Sequence, residues 1–148
     1  MSVTLRVRFP HRRYHATPWD QAANSGVVEW PPSPWRLARA FLAVAHIKHP
    51  DTPIADVLPI VQALAAPPVY WLPRTLRGHT RHYLPKSSQR SGENETQLTF
   101  DSYVSIDPAD ELVIQWVDVE LTDAQLELLS ELVASLAYLG RAESAVTA

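Results

Sequence analysis

The sequence predicts an α+β fold: an antiparallel sheet with helices on one face and a long basic loop or hairpin beside it. Three observations predict it. Apolar and polar residues alternate over residues 3–9 and again over 98–116, as strands with one buried face require. Apolar residues recur at helical spacing in three other stretches, opening near Ser33, Thr52 and Thr122. Prolines and polar runs separate these segments. A chain of 148 residues that is 46% hydrophobic can bury one adequate core, so residues 1–148 are expected to form a single domain.

The first strand rests on Val3, Leu5, Val7 and Phe9 alternating with Thr4, Arg6 and Arg8, and Pro10 ends it. Residues 11–32 carry too many breakers for an element and are expected to form a long loop. In "VEWPPSPWRLARAF" Ser33 is placed to cap a helix and Pro34 fits its first position. Leu37, Phe41, Val44 and either Ala40 or Ile47 would form its buried stripe, as far as His49. A second helix starts at Thr52 and Pro53, with Ile54, Val57 or Leu58, Val61 and Leu64 in register, and Pro59 is expected to kink or split it. "PPVYWLP" reads as a short strand near a sheet edge. "RTLRGHTRHYLPKSSQRSGENE" reads as a basic loop with a mobile second part.

Leu98, Phe100, Val104 and Ile106 before "DPAD", with Leu112, Ile114 and Trp116 after it, predict a hairpin. Thr122 and Gln125 form a capping box for a helix carried by Leu126, Leu129, Val133 and Leu136, with Gly140 as its stop. This order is compatible with a ferredoxin-like βαββαβ arrangement. The last strand should follow the last helix, where only "RAESAVTA" remains, so either the strand is very short or the chain is expected to be part of a longer protein.

Charge is divided along the chain. Up to residue 90 there are 12 Lys/Arg against four acids; from residue 91 there is one against 12, and the net charge is −3. One half could meet a polyanion, or the acids could simply coat exposed faces. The absence of cysteine excludes disulfides and thiolate metal sites. No stretch approaches the roughly 20 apolar residues a membrane span needs, the N-terminal segment lacks an apolar signal core, and the chain is expected to be cytoplasmic.

Three constellations carry the functional expectation. "HRRYHATPW" offers Arg12 and Arg13 to phosphates and Tyr14, His15 and Trp19 as stacking partners for unpaired bases, or else is a solvated basic turn. At the start of the first helix, Arg36 and Arg39 project from one side, where free amides favour an anion; Trp30 and Trp35 are either platforms or buried scaffold. "RTLRGHTRHYLPK" gathers Arg77, His79, Arg81 and His82 around Gly78, which gives the backbone room, and suits single-stranded RNA. His11/His15 and His79/His82 have helical ligand spacing but lie in no convincing helix, so no metal and no cofactor is expected. Metal-free RNA cleavage would need an acid and a base, for which His15 beside Tyr14, or His82 with Tyr83 and Lys86, are the candidates. No phosphate-binding loop, dinucleotide fingerprint or serine triad appears.

"GVVEWPPSPWRLARAF", "APPVYWLP", "TRHYLP" and "YLGRAES" resemble, in order, signature segments of the Cas-five/Cas-six fusion subunit of type I-G (formerly I-U) CRISPR systems, in the GSU family. The resemblance runs from about Val3 to Ser144 and implies an RRM-like domain of the RAMP superfamily, here the Cas-five-like N-terminal part of a longer protein. It further implies a subunit that holds the 5′ handle of a CRISPR RNA and caps the backbone of a Cascade complex in antiviral defence. Its partners would then be that RNA and the backbone and large subunits, with target DNA compatible with the same charges. The alternative it carries is a metal-independent endoribonuclease acting on the CRISPR repeat.

Overall fold

The computed structural model describes residues 1–22, 25–85 and 96–148. In chain order the elements are β1 (Val3–Val7), β2 (Arg13–Tyr14), α1 (Pro34–Lys48), α2 (Ile54–Ala63), β3 (Val69–Trp71), β4 (Thr75–Pro85), β5 (Thr96–Ile106), β6 (Leu112–Trp116) and α3 (Asp123–Ala134). The strands form two antiparallel three-stranded sheets, ordered β1-β6-β3 and β2-β5-β4. The fold is therefore mixed α/β, with three helices among the described residues.

In the first sheet Leu5 lies opposite Ile114 and Val7 opposite Leu112, while Tyr70 joins Ile114 from the other side. Opposed residues share a face, so this register gathers the alternating apolar side chains of β1 and β6 on one side. There they form one core with Leu37 and Phe41 of α1, Val57 and Ile60 of α2, and Leu129 and Leu132 of α3. Trp116 is buried there, and its indole N–H donates to the carbonyls of Leu64 (3.0 Å) and Ala66 (3.1 Å). That bond satisfies carbonyls left open where α2 ends.

Helix α1 begins as its sequence requires: the Ser33 hydroxyl accepts from the Arg36 amide at 3.3 Å, and Pro34 occupies the first turn. Its buried stripe is Leu37, Ala38, Phe41 and Ala45, and Ile47 is 64% exposed. In α2 the inward residue is Val57, not Leu58. Pro59 neither splits nor ends α2. Pro59 and Ala55 both lie on the solvent side, so the Ala55 carbonyl that loses its N–H partner is open to water. α3 has the expected reciprocal capping box between Thr122 and Gln125.

Three expectations are corrected. The segments flanking "DPAD" do not pair with each other. β6 is central in the first sheet, with β1 and β3 on its two edges, so β5 has no edge to join and pairs with β4 and β2. A tight turn, with the Asp110 amide donating to the Asp107 carbonyl at 3.0 Å, passes the chain between the sheets. The basic stretch, expected as a loop or hairpin, is no loop: it is strand β4, paired antiparallel along its whole length with β5. Gly140 does not stop α3, which ends at Ala134; at φ +87° it turns the chain back against β2's exit. The C-terminal residues contribute isolated bridges, Tyr138 with Ala145 and Arg8 with Thr147. The expected mobile segment over residues 86–95 lies outside the described residues. Among the described residues no helix is long and apolar enough to cross a membrane.

Candidate nucleic-acid interface

Strands β4 and β5 pair over 11 residues each, yet among the described residues β4 packs on no strand or helix but β5. The two form a ribbon that leaves the core beyond Val104. On one face stand Arg77, His79, Arg81 and Tyr83, opposite Val104, Ser102, Phe100 and Leu98. On the other stand Leu76, Thr80 and His82, opposite Ser105, Asp101 and Thr99. Arg77, His79, Arg81, His82 and Tyr83 are all exposed. The Arg81 guanidinium lies 5.5 Å from the Phe100 ring centre, so a flat cation and a ring are presented together. Gly78 does provide room, and the ring of Tyr103 takes it: a Cβ there would lie 2.7 Å from that ring.

At the base of the ribbon, β2 pairs through Arg13 with Ser105 and through Tyr14 with Val104. Arg13 faces outward and stacks on Tyr103, its guanidinium carbon 3.9 Å from the ring centre. One Asp101 oxygen lies 3.2 Å from His82 Nε2, which is hydrogen-bonded to the Thr80 hydroxyl at 3.1 Å, and the other accepts from Arg141 Nη1 at 3.3 Å. Arg141 belongs to the turn after Gly140, which clasps β2's exit. Its amide donates to the His15 carbonyl at 2.9 Å, and the Ser144 hydroxyl accepts from the His15 amide at 2.8 Å. A side chain at Gly140 would put Cβ 2.6 Å from the His15 oxygen.

This clasp decides the fate of two residues expected to stack on bases. His15 is 3% exposed, with Nδ1 2.8 Å from Glu143 Oε1. Partial burial raises the Glu143 carboxyl, and its own backbone amide together with His15 outweighs that and holds it below the usual carboxylate range. Tyr14 is fully buried, edge-on to Phe9 with ring centres 5.7 Å apart and tilted against Trp30 at 5.2 Å. Burial pushes its phenol far above the ordinary value. Neither ring has a face for a base, and Trp30 is scaffold rather than platform. Arg12, at φ 58°, is exposed at the turn before β2.

The start of α1 also differs from expectation. The Glu29 carboxylate accepts from Arg36 Nε (2.7 Å), Arg36 Nη2 (3.2 Å) and the Ser33 amide (2.9 Å), while Nη2 also donates to the Thr17 carbonyl at 2.8 Å. Burial raises the Glu29 carboxyl, but these hydrogen bonds outweigh it and hold it below the usual carboxylate range. The anion that a helix N-terminus favours is thus supplied by the chain itself, and Arg36 is a clamp rather than an open phosphate site. Arg39, one turn on, is exposed on the wall of a cleft of about 690 Å³.

No family model matches the chain, and no curated protein matches it. What the surface can do follows from its own side chains.

The structure brings Arg13, Arg77, His79, Arg81 and His82 onto one ribbon, with Arg12 at the turn leading into its base and Arg39 in the cleft beyond Gly140. It withdraws Tyr14, His15 and Arg36 into internal contacts. The two histidine pairs do not act as pairs: His79 and His82 project from opposite faces of β4, and of His11 and His15 only the first is exposed. Sequence reasoning missed Asp101, Tyr103 and Arg141. Asp101 and Tyr103 lie in a strand whose alternation drew notice only for its apolar members, and Arg141 stands in "YLGRAES" with nothing in the spacing to tie it to residue 101.

Proposed function

We propose that this chain is a single-stranded RNA-binding subunit whose β4–β5 ribbon holds the 5′ handle of a CRISPR RNA and caps the backbone of a type I Cascade complex in the cytoplasm. The observation that carries the reading is the ribbon itself: a two-stranded basic arm with arginine, histidine and aromatic side chains on solvent-facing surfaces. Phosphates meet Arg77, Arg81 and Arg13, and bases meet ring faces such as Tyr83. The resemblance of four separated segments to the Cas-five/Cas-six fusion family supports it. Two of those segments, "TRHYLP" and "YLGRAES", meet through the Asp101 bridges to His82 and Arg141. In the same reading the fold is a variant of the ferredoxin-like, RRM-like RAMP domain. Backbone and large subunits are its protein partners, and target DNA is a second polyanion that the arm's charge would accept.

One observation favours the endoribonuclease alternative. His82 Nε2 is held by the Thr80 hydroxyl at 3.1 Å and lies 3.2 Å from an Asp101 oxygen, so the ring is oriented, as a general acid or base requires. His15, buried against Glu143, cannot supply the matching acid to an external RNA. Incubation of the chain with labelled repeat RNA without divalent metal separates the two readings. Retention of intact RNA, with preference for the handle over a scrambled sequence, supports the cap. Discrete cleavage that disappears in His82→Ala makes the chain a nuclease, and failure to retain RNA at low salt refutes both.

A further inference from the structure

The cleft beyond Gly140 carries two tryptophans that the fold leaves in water. Trp19, at the end of the loop from β2, is 79% exposed, and Trp35, in the first turn of α1, is 58% exposed. Their ring centres are 6.2 Å apart at an interplanar angle of 86°, so the two rings form a corner with open faces. Tryptophan is the side chain with most to gain from cover, and two such rings at one corner are not needed for the core, which closes without them. Arg39 and Ala43 follow Trp35 at successive helical spacings, and all three line the cleft. Lys48 adds a second positive charge at the far end of the wall.

We propose that this corner is a base pocket for the same single-stranded RNA: one splayed nucleobase stacks on Trp19 or Trp35 and its phosphate meets Arg39. The inference rests on the RNA-binding reading and extends it to a site away from the arm. Continuity supports it. Gly140 lines the cleft, and the next residue, Arg141, is bonded to Asp101, so the cleft adjoins the ribbon on its Asp101 and His82 face. Charge supports an anionic occupant over an apolar helix, because Arg39 and Lys48 interrupt what would otherwise be its seam. Arg36 in the same wall is already neutralised by Glu29, which leaves the pocket's cation one turn further along.

The test is an abasic scan. Fluorescein-labelled single-stranded RNA 12-mers, each lacking one base in turn, are titrated with the full chain, with Trp19→Ala/Trp35→Ala, and with Trp19→Phe/Trp35→Phe. Loss of one particular base is expected to weaken binding to the native chain by about 5- to 150-fold. The alanine pair should bind the intact RNA as weakly as the native chain binds that abasic one, with no further loss, and the phenylalanine pair should restore most of the discrimination. Both tryptophans are exposed, so unchanged thermal melting is expected and is checked in parallel. A flat scan in the native chain, while Arg77→Ala/Arg81→Ala still lowers affinity, would overturn the pocket and leave the arm's role standing. A cleft that instead binds an amphipathic peptide in competition with nothing on the RNA would also overturn it. Absence of RNA binding by the native chain would remove both proposals together, and uridine or adenosine monophosphate binding as tightly as the 12-mer would make the cleft a free-nucleotide site instead.

Discussion

The clamp at the start of α1 makes a quantitative prediction. Glu29→Ala removes the carboxylate that receives two bonds from Arg36 and one from the Ser33 amide. A hydrogen bond to a charged group contributes about 1.5–3 kcal/mol when well shielded. Here the side chains of Glu29 and Arg36 are 14% and 25% exposed, so water screens part of that, and Arg36 keeps its bond to the Thr17 carbonyl. The expected loss is about 2–3 kcal/mol for the whole cluster, a fall in melting temperature of about 4–12 °C for a chain of this size. Glu29→Gln, which keeps the shape and an acceptor oxygen, should lose about half as much. The Glu29 carboxyl is held below its ordinary value in the folded chain. Its contribution is therefore complete above the unfolded carboxylate value, near about 4.3, and is lost as pH falls through the depressed folded value. Urea melts from pH 7 down to pH 3 should show the gap between native chain and Glu29→Gln closing as the acid limit is approached. A loss below about 0.5 kcal/mol for Glu29→Ala at pH 7, the range of an ordinary surface change, would refute the clamp and return Arg36 to the set of open anion contacts.

Two further outcomes test the packing around β2. Gly140→Ala places a Cβ 2.6 Å from the His15 carbonyl oxygen at φ +87°, so it should lose about 2 kcal/mol or more in a urea titration. The buried Tyr14 hydroxyl meets no hydrogen-bond partner among the described residues, so Tyr14→Phe should be neutral or stabilising by about 1 kcal/mol in the same measurement.

Elements that bury one face were legible in the sequence, because burial writes the period. β1, β6, the Leu37 and Phe41 positions of α1 and the capping box of α3 all announce themselves by spacing. Strand β4 does not, for the same reason. None of its described residues is buried, so nothing selects apolar residues at every second position, and "RTLRGHTRHY" reads as a loop. Pairing was equally hidden: β5 and β6 both alternate, and only the occupation of both edges of β6 by β1 and β3 sends β5 elsewhere. Among the candidate residues, composition located the basic stretch but not its partners. Arg36 looked open because Glu29, seven residues earlier, gives no local sign that its carboxylate returns to the helix start. His15 looked exposed because its cover, Glu143 and Ser144, lies at the other end of the chain. Trp19 and Trp35 could not be told from Trp30 by sequence, yet only Trp30 packs against Phe9 and Tyr14.

The central claim is that the β4–β5 ribbon carries RNA through its exposed cations. It is tested most directly by the salt dependence of single-stranded RNA binding for the native chain and for Arg77→Ala/Arg81→Ala. Each lost phosphate contact should reduce the slope of log affinity against log salt by about 0.7, so the double variant should show a slope shallower by about 1.4 together with weaker binding. An unchanged slope and affinity in a folded double variant would mean that the ribbon does not hold the RNA.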